Sequence, residues 1–508
     1  MSKVLFLGID GLDRGLVERY RERMPHLWSL AARGQLLELR SVLPPDSNTA
    51  WATIYTGWNP ARHGLVHFVD PLRRIQIINE QEVGAGAVEG RSFWDHACRA
   101  GRRVTLVLPH LGYPVWPVGG TMIGRSTIAD DVQCYPQGLL SPAELEGLNT
   151  IKGFPPRGEL ESWLARVRAL VDREAEVGLR RLREDTWDLF LWYSSALDLV
   201  MHFCWRFADP ADPSYPGPNP YEGVIADLHA QYDDVLGRLI GAAPGDATVV
   251  LCSDHGHGMR PTRLLHINEL LRREGLLVTA GGDGRSSLRA AAAGSLERGK
   301  RLALDLVSRH NLGPWASRAL RLLPAARRLF THPLKIDWAR TLAYATDLSG
   351  IKAYAYGGVL LRREGLSPAA YEEVRQQVIT ALRAVTDPET GQPIAQLVCR
   401  REDLYHGEHL ERYPDIVFYL RDGWGAGWDA GGELFGEGAG HSLVPGSHKL
   451  ETAVLVIAPA EGWRVLPARA ELVDIAPTVL QLLGVPAEGL GLEGRSLVEA
   501  VGRCSVGG

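Results

Sequence analysis

The chain has no C-x-x-C pair, and its six cysteines, Cys98, Cys134, Cys204, Cys252, Cys399 and Cys504, stand far apart along 508 residues. That spacing indicates neither a thiolate zinc site nor a disulfide framework, so buried free thiols are expected. No apolar run is long enough to span a bilayer. The first residues, MSKVLFLGID, read directly as a strand, without a basic start and apolar signal region. A cytoplasmic protein is expected. Strong charge of one sign is missing as well: the net charge is -5 and the pI about 6.4. Neither gives a global attraction to a nucleic acid polymer or an anionic membrane. No repeat of about 20–50 residues recurs, which argues against a solenoid or propeller.

What is present is ordinary globular material, 45% hydrophobic and 23% charged, long enough for one large α/β core with an insertion. Strands and helices alternate in the doubly wound manner. The pattern predicts a strand ending at Gly8, a helix on to about Arg33, and a helix over 48–56 behind Pro44 and Pro45. A helix over 92–100, a strand over 103–108 and a long amphipathic helix over 159–184 follow. Later, 341–361 and 415–420 read as strands, 368–385 as a helix, 422–440 as a Gly/Trp-rich loop, 453–458 as a strand and 474–483 as a helix. Between them, 285–335 is rich in arginine, alanine and leucine and broken by Gly313, Pro314 and Pro324. Such a segment suits a membrane surface or an acidic partner. A helical insertion with a solvated basic face is the preferred expectation. The organisation expected is a core of 1–260 and 434–508 with an insertion over 261–433.

Three hydrophobic runs each lead to an aspartate. KVLFLG (3–8) delivers Asp10, DLFLWY (188–193) delivers Asp198 with His202 four residues on, and ATVVLC (247–252) delivers Asp254 and His255. In an open α/β sheet, ligands bind outside the carboxyl ends of the strands, where these side chains would converge. The spacing puts Asp198 and His202 on one face of a helical turn. The glycine after His255 lets the chain turn so that both neighbours face one ion. Asp10 alone is equally readable as a helix cap. Carboxylates and imidazoles together suit Zn2+, Mn2+ or Fe rather than Mg2+ or Ca2+. A dinuclear site of this kind clamps the attacking and leaving oxygens of an in-line displacement at phosphorus.

The nucleophile in such a site is a hydroxyl close to a metal and to a helix N-terminus. The stretch PPDSNTAWAT (44–53) offers Ser47 at the start of a helix, with Thr49 as its rival. Ser47 is also readable as a plain N-cap.

Eight stretches carry a resemblance: LFLGIDGLD (5–13), SNTAWATIYTGWNPARHGL (47–65), SFWDHACRAGRRVTLV (92–107), WYSSALDLVMHF (192–203), VVLCSDHGHGM (249–259), LYHGEHLERYPDIVF (404–418), GSHKLETAVLVIAPA (446–460) and VDIAPTVLQLLGVP (473–486). In this order the chain resembles the type I phosphodiesterase/nucleotide pyrophosphatase branch of the alkaline phosphatase superfamily. The resemblance implies an alkaline phosphatase-like α/β fold, a largely parallel central sheet between helix layers, and two divalent metal ions, Zn2+ or alternatively Mn2+. It puts the nucleophile six residues before Thr53 of A-T-I-Y-T-G, hence on Ser47. One metal site then draws Asp10, Ser47, Asp254 and His255. The other draws Asp198, His202 and His448 of G-S-H-K, with His441 as the competitor seven residues upstream. His257 and His63, inside matching motifs, receive supporting or turn-stabilising roles.

The activity implied is metal-dependent hydrolysis of phosphate diesters or nucleotide pyrophosphate bonds through a seryl-phosphate intermediate at a dinuclear site, acting on a small-molecule phosphoester. The alternatives are a phosphomonoesterase or phosphotransferase on the same scaffold, or a metal-binding partner protein without turnover. A sulfatase signature, with x-Pro-x-Arg after the nucleophile, is absent after Ser47. Two departures from the family pattern matter. Ser47 stands where many members carry threonine, and Phe68 stands twenty-one residues after the nucleophile, where eukaryotic-type members place an asparagine beside the phosphate. Asn48 is the nearest amide to take its place. Trp424 and Trp428 are read either as a stacking surface for substrate or as anchors of their loop.

Overall fold

The computed structural model describes residues 3–66, 68, 84–153, 155, 158–279, 299, 336–346, 354–427, 429–430, 432–438, 441–466 and 469–501. A nine-stranded sheet organises the chain, in the order Ala470–Glu471, Gln35–Arg40, Ala453–Ala458, Thr248–Cys252, Val4–Ile9, Leu189–Ser194, Val104–Val107, Gly120–Arg125, Val132–Tyr135. All run in one direction except Ala453–Ala458 and Val132–Tyr135. Val4–Ile9 sits between the two other aspartate-bearing strands, with Gly8 level with both Tyr193 and Cys252. That register brings their carboxyl ends to one edge.

The strand is apolar throughout because both sheet faces are covered. Leu5, Leu7 and Ile9 face a layer that includes Val167, Val171, Leu197, Leu228 and Leu236. Val4 and Phe6 face the opposite layer, with Trp51, Ile54, Phe93, Val479 and Leu480. The amphipathic stretch read over 159–184 is the helix Leu160–Glu184, and its buried residues include Leu164, Val167, Leu170, Val171 and Val177. Every one of those belongs to the stripe that the spacing predicts.

Three predicted elements differ in the structure. The helix expected to continue to Arg33 is broken into Arg14–Arg19, a short turn of Arg21–Arg23, and Pro25–Arg33. Pro25 lacks an N–H and begins a new helix at its first turn. The strand Gln35–Arg40 follows directly. The stretch 341–361 holds two strands, Ala343–Ala345 and Tyr356–Leu361. The Gly/Trp-rich stretch contains strands too: Trp424–Gly427 and Phe435–Glu437 flank Arg263–His266.

A four-stranded antiparallel sheet, Ala343–Ala345, Tyr356–Leu361, Ile416–Leu420 and Ala395–Arg400, lies wholly between 343 and 420. The helix Pro368–Ala384 packs Val374, Val378 and Leu382 with Val359 and Phe418. Val417, Tyr413 and Tyr356 pack with Leu43 and Leu450. The Tyr413 hydroxyl donates to the Leu43 carbonyl at 3.0 Å, and the Leu43 N–H donates to the Tyr405 hydroxyl at 2.8 Å. This second sheet therefore buttresses the loop that leads into Ser47. Cys134, Cys204 and Cys252 are buried free thiols, while Cys98 and Cys399 are half-buried. The basic segment 285–335, apart from Gly299, and Cys504 lie outside the described residues. Among the described residues no helix is long and apolar enough to cross a membrane.

Candidate metal centre

Asp10 follows the strand Val4–Ile9 and is buried. It does not cap the next helix; Asp13 does, accepting from the Leu16 N–H at 3.1 Å. Its Oδ2 accepts instead from Trp51 Nε1 at 3.0 Å and from the Tyr193 hydroxyl at 2.6 Å. With that oxygen held, Oδ1 faces Ser47. Ser47 opens the helix Ser47–Thr56, and the cap there is Asp46, which accepts from the Asn48 N–H at 3.0 Å. The Ser47 hydroxyl is thus released from capping. It lies 3.3 Å from Asp10 Oδ1 and 3.3 Å from His255 Nε2. The rival hydroxyl of Thr49 is fully buried and has no hydrogen-bond partner.

Asp10, Asp254 and His255 bring ligand atoms within 4.8 Å of one another. His255 Nε2 is 3.1 Å from Asp254 Oδ2 and 3.6 Å from Asp10 Oδ1. A second group, Asp198, His202, His257 and His448, does the same. Asp198 and His202 sit one turn apart on the helix Ala196–Ala208, with His202 Nε2 at 3.4 Å from Asp198 Oδ2. His448 arrives from far along the chain because Gly446–Lys449 pairs antiparallel with Gly256–Met259, setting His448 opposite His257. The His255 and His448 rings stack at 3.7 Å, so the two groups adjoin.

The imidazoles are oriented by backbone carbonyls. Nδ1 of His202 lies 3.1 Å from the Gly446 carbonyl, Nδ1 of His255 3.1 Å from that of Gly256, and Nδ1 of His448 2.7 Å from that of Pro45. A neutral ring that donates from Nδ1 turns the lone pair of Nε2 inward, the tautomer a metal ligand needs. The Nε2 atoms of His202 and His448 then face each other across 2.8 Å. Asp254 Oδ2 is buried without a hydrogen-bond donor. Burial, the neighbouring Asp254 and Asp198, in that order, push the Asp10 carboxyl well above its usual range. Burial does the same to Asp254. For Asp198, burial is outweighed by His202, His257 and His448, and its carboxyl is held well below the usual range. Burial, then His448, drives the His255 imidazole well below its usual value. Converging lone pairs, mutually repelling carboxylates and an orphaned buried oxygen form a donor set that a cation would relieve. The residues therefore fit divalent metal ions.

A family model for type I phosphodiesterase / nucleotide pyrophosphatase matches residues 4–438. The chain belongs to this family. It is accordingly a phosphohydrolase, and phosphoester hydrolysis is its reaction class. Asp10, Ser47, Asp198, His202, Asp254 and His255 fall inside the matched span, and His448 falls beyond it. Among solved structures, phosphonoacetate hydrolase from Sinorhizobium meliloti 1021 is similar in complexes with phosphonoformate and with phosphonoacetate. In both, the identity is 16%, and 95% of this chain and 95% of that chain are covered, with TM-scores of 0.53 and 0.51. An inactive variant of murine ectonucleotide pyrophosphatase / phosphodiesterase 5, in complex with AMP, is 14% identical over 96% of each chain, with a TM-score of 0.50. At these identities the likeness is one of fold. No curated protein sequence matches the chain.

Against this family pattern, several residues read from the sequence take definite positions. His441 is separate from both clusters: its Nε2 lies 2.9 Å from Asp212 Oδ2, and both are buried. His63 is buried and stabilises its turn, with Nε2 at 3.0 Å from the Thr53 hydroxyl and Nδ1 accepting from the Leu65 N–H at 3.2 Å. Burial lowers its pKa to about 3, so it stays neutral. His257, assigned a supporting role, stands within the second cluster, its Nδ1 3.0 Å from Asp198 Oδ1. Only the cross-strand register with His448 reveals this. Phe68 packs on Tyr413 with ring centroids 5.5 Å apart. Trp424 is buried, donates to Asp387 Oδ2 at 3.2 Å, and carries the Arg263 guanidinium 4.5 Å above its ring. It anchors its segment and does not offer a stacking face. Trp428 lies outside the described residues. Tyr354, half-buried and stacked on Tyr356, lies 6.3 Å from the His448 ring, and Trp205 stacks on His257 at 6.0 Å.

Proposed function

We propose that the chain hydrolyses small-molecule phosphate diesters or nucleotide pyrophosphate bonds through a covalent phosphoryl intermediate on Ser47. Asp10, Ser47, Asp254 and His255 would hold one divalent ion, and Asp198, His202 and His448 the other. The observation that carries the reading is the position of the Ser47 hydroxyl, uncapped at a helix start and 3.3 Å from both Asp10 Oδ1 and His255 Nε2. When bound, two such ions, Zn2+ in preference to Mn2+, supply Lewis acidity that lowers hydroxyl pKa values and neutralises charge on phosphoryl oxygens.

The residues of the chain do the positioning. The ten-residue helix Ser47–Thr56 directs its positive end at the phosphoryl group. Ser47 Oγ attacks phosphorus in line, the bond to the leaving oxygen breaks, and the leaving group takes a proton from solvent. Water then cleaves the Oγ–P bond, restoring the serine hydroxyl and releasing the second product. Asp10 is kept from rotating by Trp51 and Tyr193, so Oδ1 stays directed at Ser47 through both steps. A cytoplasmic location, and a division of the chain into a core of 1–260 and 434–508 with an insertion over 261–433, belong to the same proposal.

Initial rates on bis(p-nitrophenyl) phosphate and p-nitrophenyl phosphate, with Zn2+ and after EDTA treatment, test it in the wild type and Ser47→Ala. Diester preference that EDTA removes, Zn2+ restores and the substitution abolishes is the expected result. Monoester preference would move the activity to a phosphatase on the same scaffold. Absence of turnover of either ester with both metal sites loaded would leave a narrow-specificity phosphohydrolase or the metal-binding protein without turnover.

A further inference from the structure

Leu108 and Leu111 hold φ angles of 57° and 60°, a left-handed backbone that branched apolar side chains rarely adopt. Both are buried, so packing keeps the strain in place, as it does where a side chain must be aimed. Between them, at the carboxyl end of the strand Val104–Val107, the chain presents half-buried His110. Its Nδ1 lies 3.0 Å from the Tyr193 hydroxyl and its Nε2 2.9 Å from Asn48 Oδ1. Tyr193 in turn donates to Asp10 Oδ2 at 2.6 Å. One imidazole therefore joins the residue next to Ser47 to the residue that holds Asp10, yet it belongs to neither metal cluster.

We propose that His110 is a positioning residue that fixes the Asn48 side-chain amide beside Ser47, so that the amide NH2 group meets a phosphoryl oxygen of the substrate. The inference rests on Ser47 being the nucleophile. Because the Tyr193 hydroxyl hydrogen goes to Asp10, Nδ1–H of His110 donates to the Tyr193 oxygen and, in the doubly protonated ring, Nε2–H donates to Asn48 Oδ1. An amide pinned at its oxygen turns its two N–H donors to the other side. Donors preorganised next to a nucleophile suit the charge on a phosphoryl group under attack. A histidine serving only to fill space would not need polar partners at both nitrogens.

The two ring nitrogens can be tested separately. Glutamine can mimic Nε2 and reach Asn48, whereas asparagine can mimic Nδ1 and reach Tyr193. Two readouts apply to His110→Ala, His110→Gln, His110→Asn, Asn48→Ala and the His110→Ala/Asn48→Ala pair. The first is kcat/KM on bis(p-nitrophenyl) phosphate. The second is orthophosphate affinity by calorimetry, in a Ser47→Ala background with metal content checked.

His110→Ala and Asn48→Ala should each weaken both readouts by about 10- to 100-fold. The double substitution should cost no more than either alone, and His110→Gln should retain more than His110→Asn. Additive losses, equal behaviour of the Gln and Asn variants, or unchanged phosphate affinity in His110→Ala would overturn the assignment. If His110→Ala fails to fold, the Gln and Asn pair still decides. Residual turnover by Ser47→Ala would defeat the nucleophile assignment through a different readout, leaving the phosphate-affinity comparison intact.

Discussion

Replacing Asp254 by asparagine should stabilise the metal-free protein and weaken the metal-loaded one. Without cations, Asp254 is fully buried and its Oδ2 has no donor. An unsatisfied buried polar atom costs about 1–3 kcal/mol, and more when charged. Asparagine keeps the shape, removes the charge and can still accept the Gly11 N–H that Asp254 Oδ1 takes at 3.1 Å. At the ~2–4 °C per kcal/mol typical of chains of about 150–250 residues, an upper scale for this longer one, the gain is a rise of a few degrees in apoprotein Tm.

The pH dependence has a definite sign. Burial raises the folded-state pKa of Asp254 above the ordinary carboxylate value. The folded state then binds more protons than the unfolded one, so stability present below about pH 4 is lost as pH rises through the folded pKa. The advantage of the asparagine variant in apoprotein Tm should therefore grow from about pH 5 to pH 8. Cations in place of protons reverse the comparison, because the variant lacks a ligand charge. Scanning calorimetry of both proteins, with EDTA and with Zn2+, checks it. An asparagine variant less stable than wild type in both conditions would refute a carboxylate whose only compensation is a metal ion.

Removal of Asp198 or His202 by alanine substitution should lower bound metal from two ions to one, measured by elemental analysis of the dialysed protein, while the Asp10 group keeps its ion. Ser47→Ala should instead abolish turnover with metal content retained at the Asp198 group. His441→Ala leaves buried Asp212 without its 2.9 Å partner; denaturant titration should show a loss of about 1–3 kcal/mol, with kcat changed little. Trp424→Ala should cost roughly 3–5 kcal/mol without moving KM across a series of aryl and nucleotide esters, because the ring is buried under Arg263.

The aspartates were legible because each follows an apolar strand, and a buried parallel strand ending in a carboxylate is a local pattern. Asp198 and His202 were legible for the same reason, their spacing being that of one helical turn. Pairing was not local. Ala453–Ala458 enters the sheet antiparallel between Gln35–Arg40 and Thr248–Cys252, and nothing in its apolar run states which neighbours it will have. The same long-range pairing sets His448 opposite His257, which is why His257 reads from sequence as a supporting residue and not as a member of the cluster. Asp46 and Asp13 took the caps for which Ser47 and Asp10 were also eligible. Adjacent residues compete for one capping geometry, and tertiary contacts decide between them. Trp424 shows the limit of composition: glycine neighbours suggest an open loop, but pairing with Arg263–His266 makes the segment a strand. Tyr193 and His110, which reach Asp10 and Asn48, carry no spacing signal because their partners are distant in sequence.

In the proposed reaction Ser47 carries the phosphoryl group during turnover. Acid quench of the zinc-loaded enzyme during the steady state with bis(p-nitrophenyl) phosphate, followed by peptide mass spectrometry, tests it most directly. One p-nitrophenyl phosphoryl group is expected on the peptide containing residues 44–53, localised to Ser47 and absent from Ser47→Ala. The same group on Thr49 would contradict it.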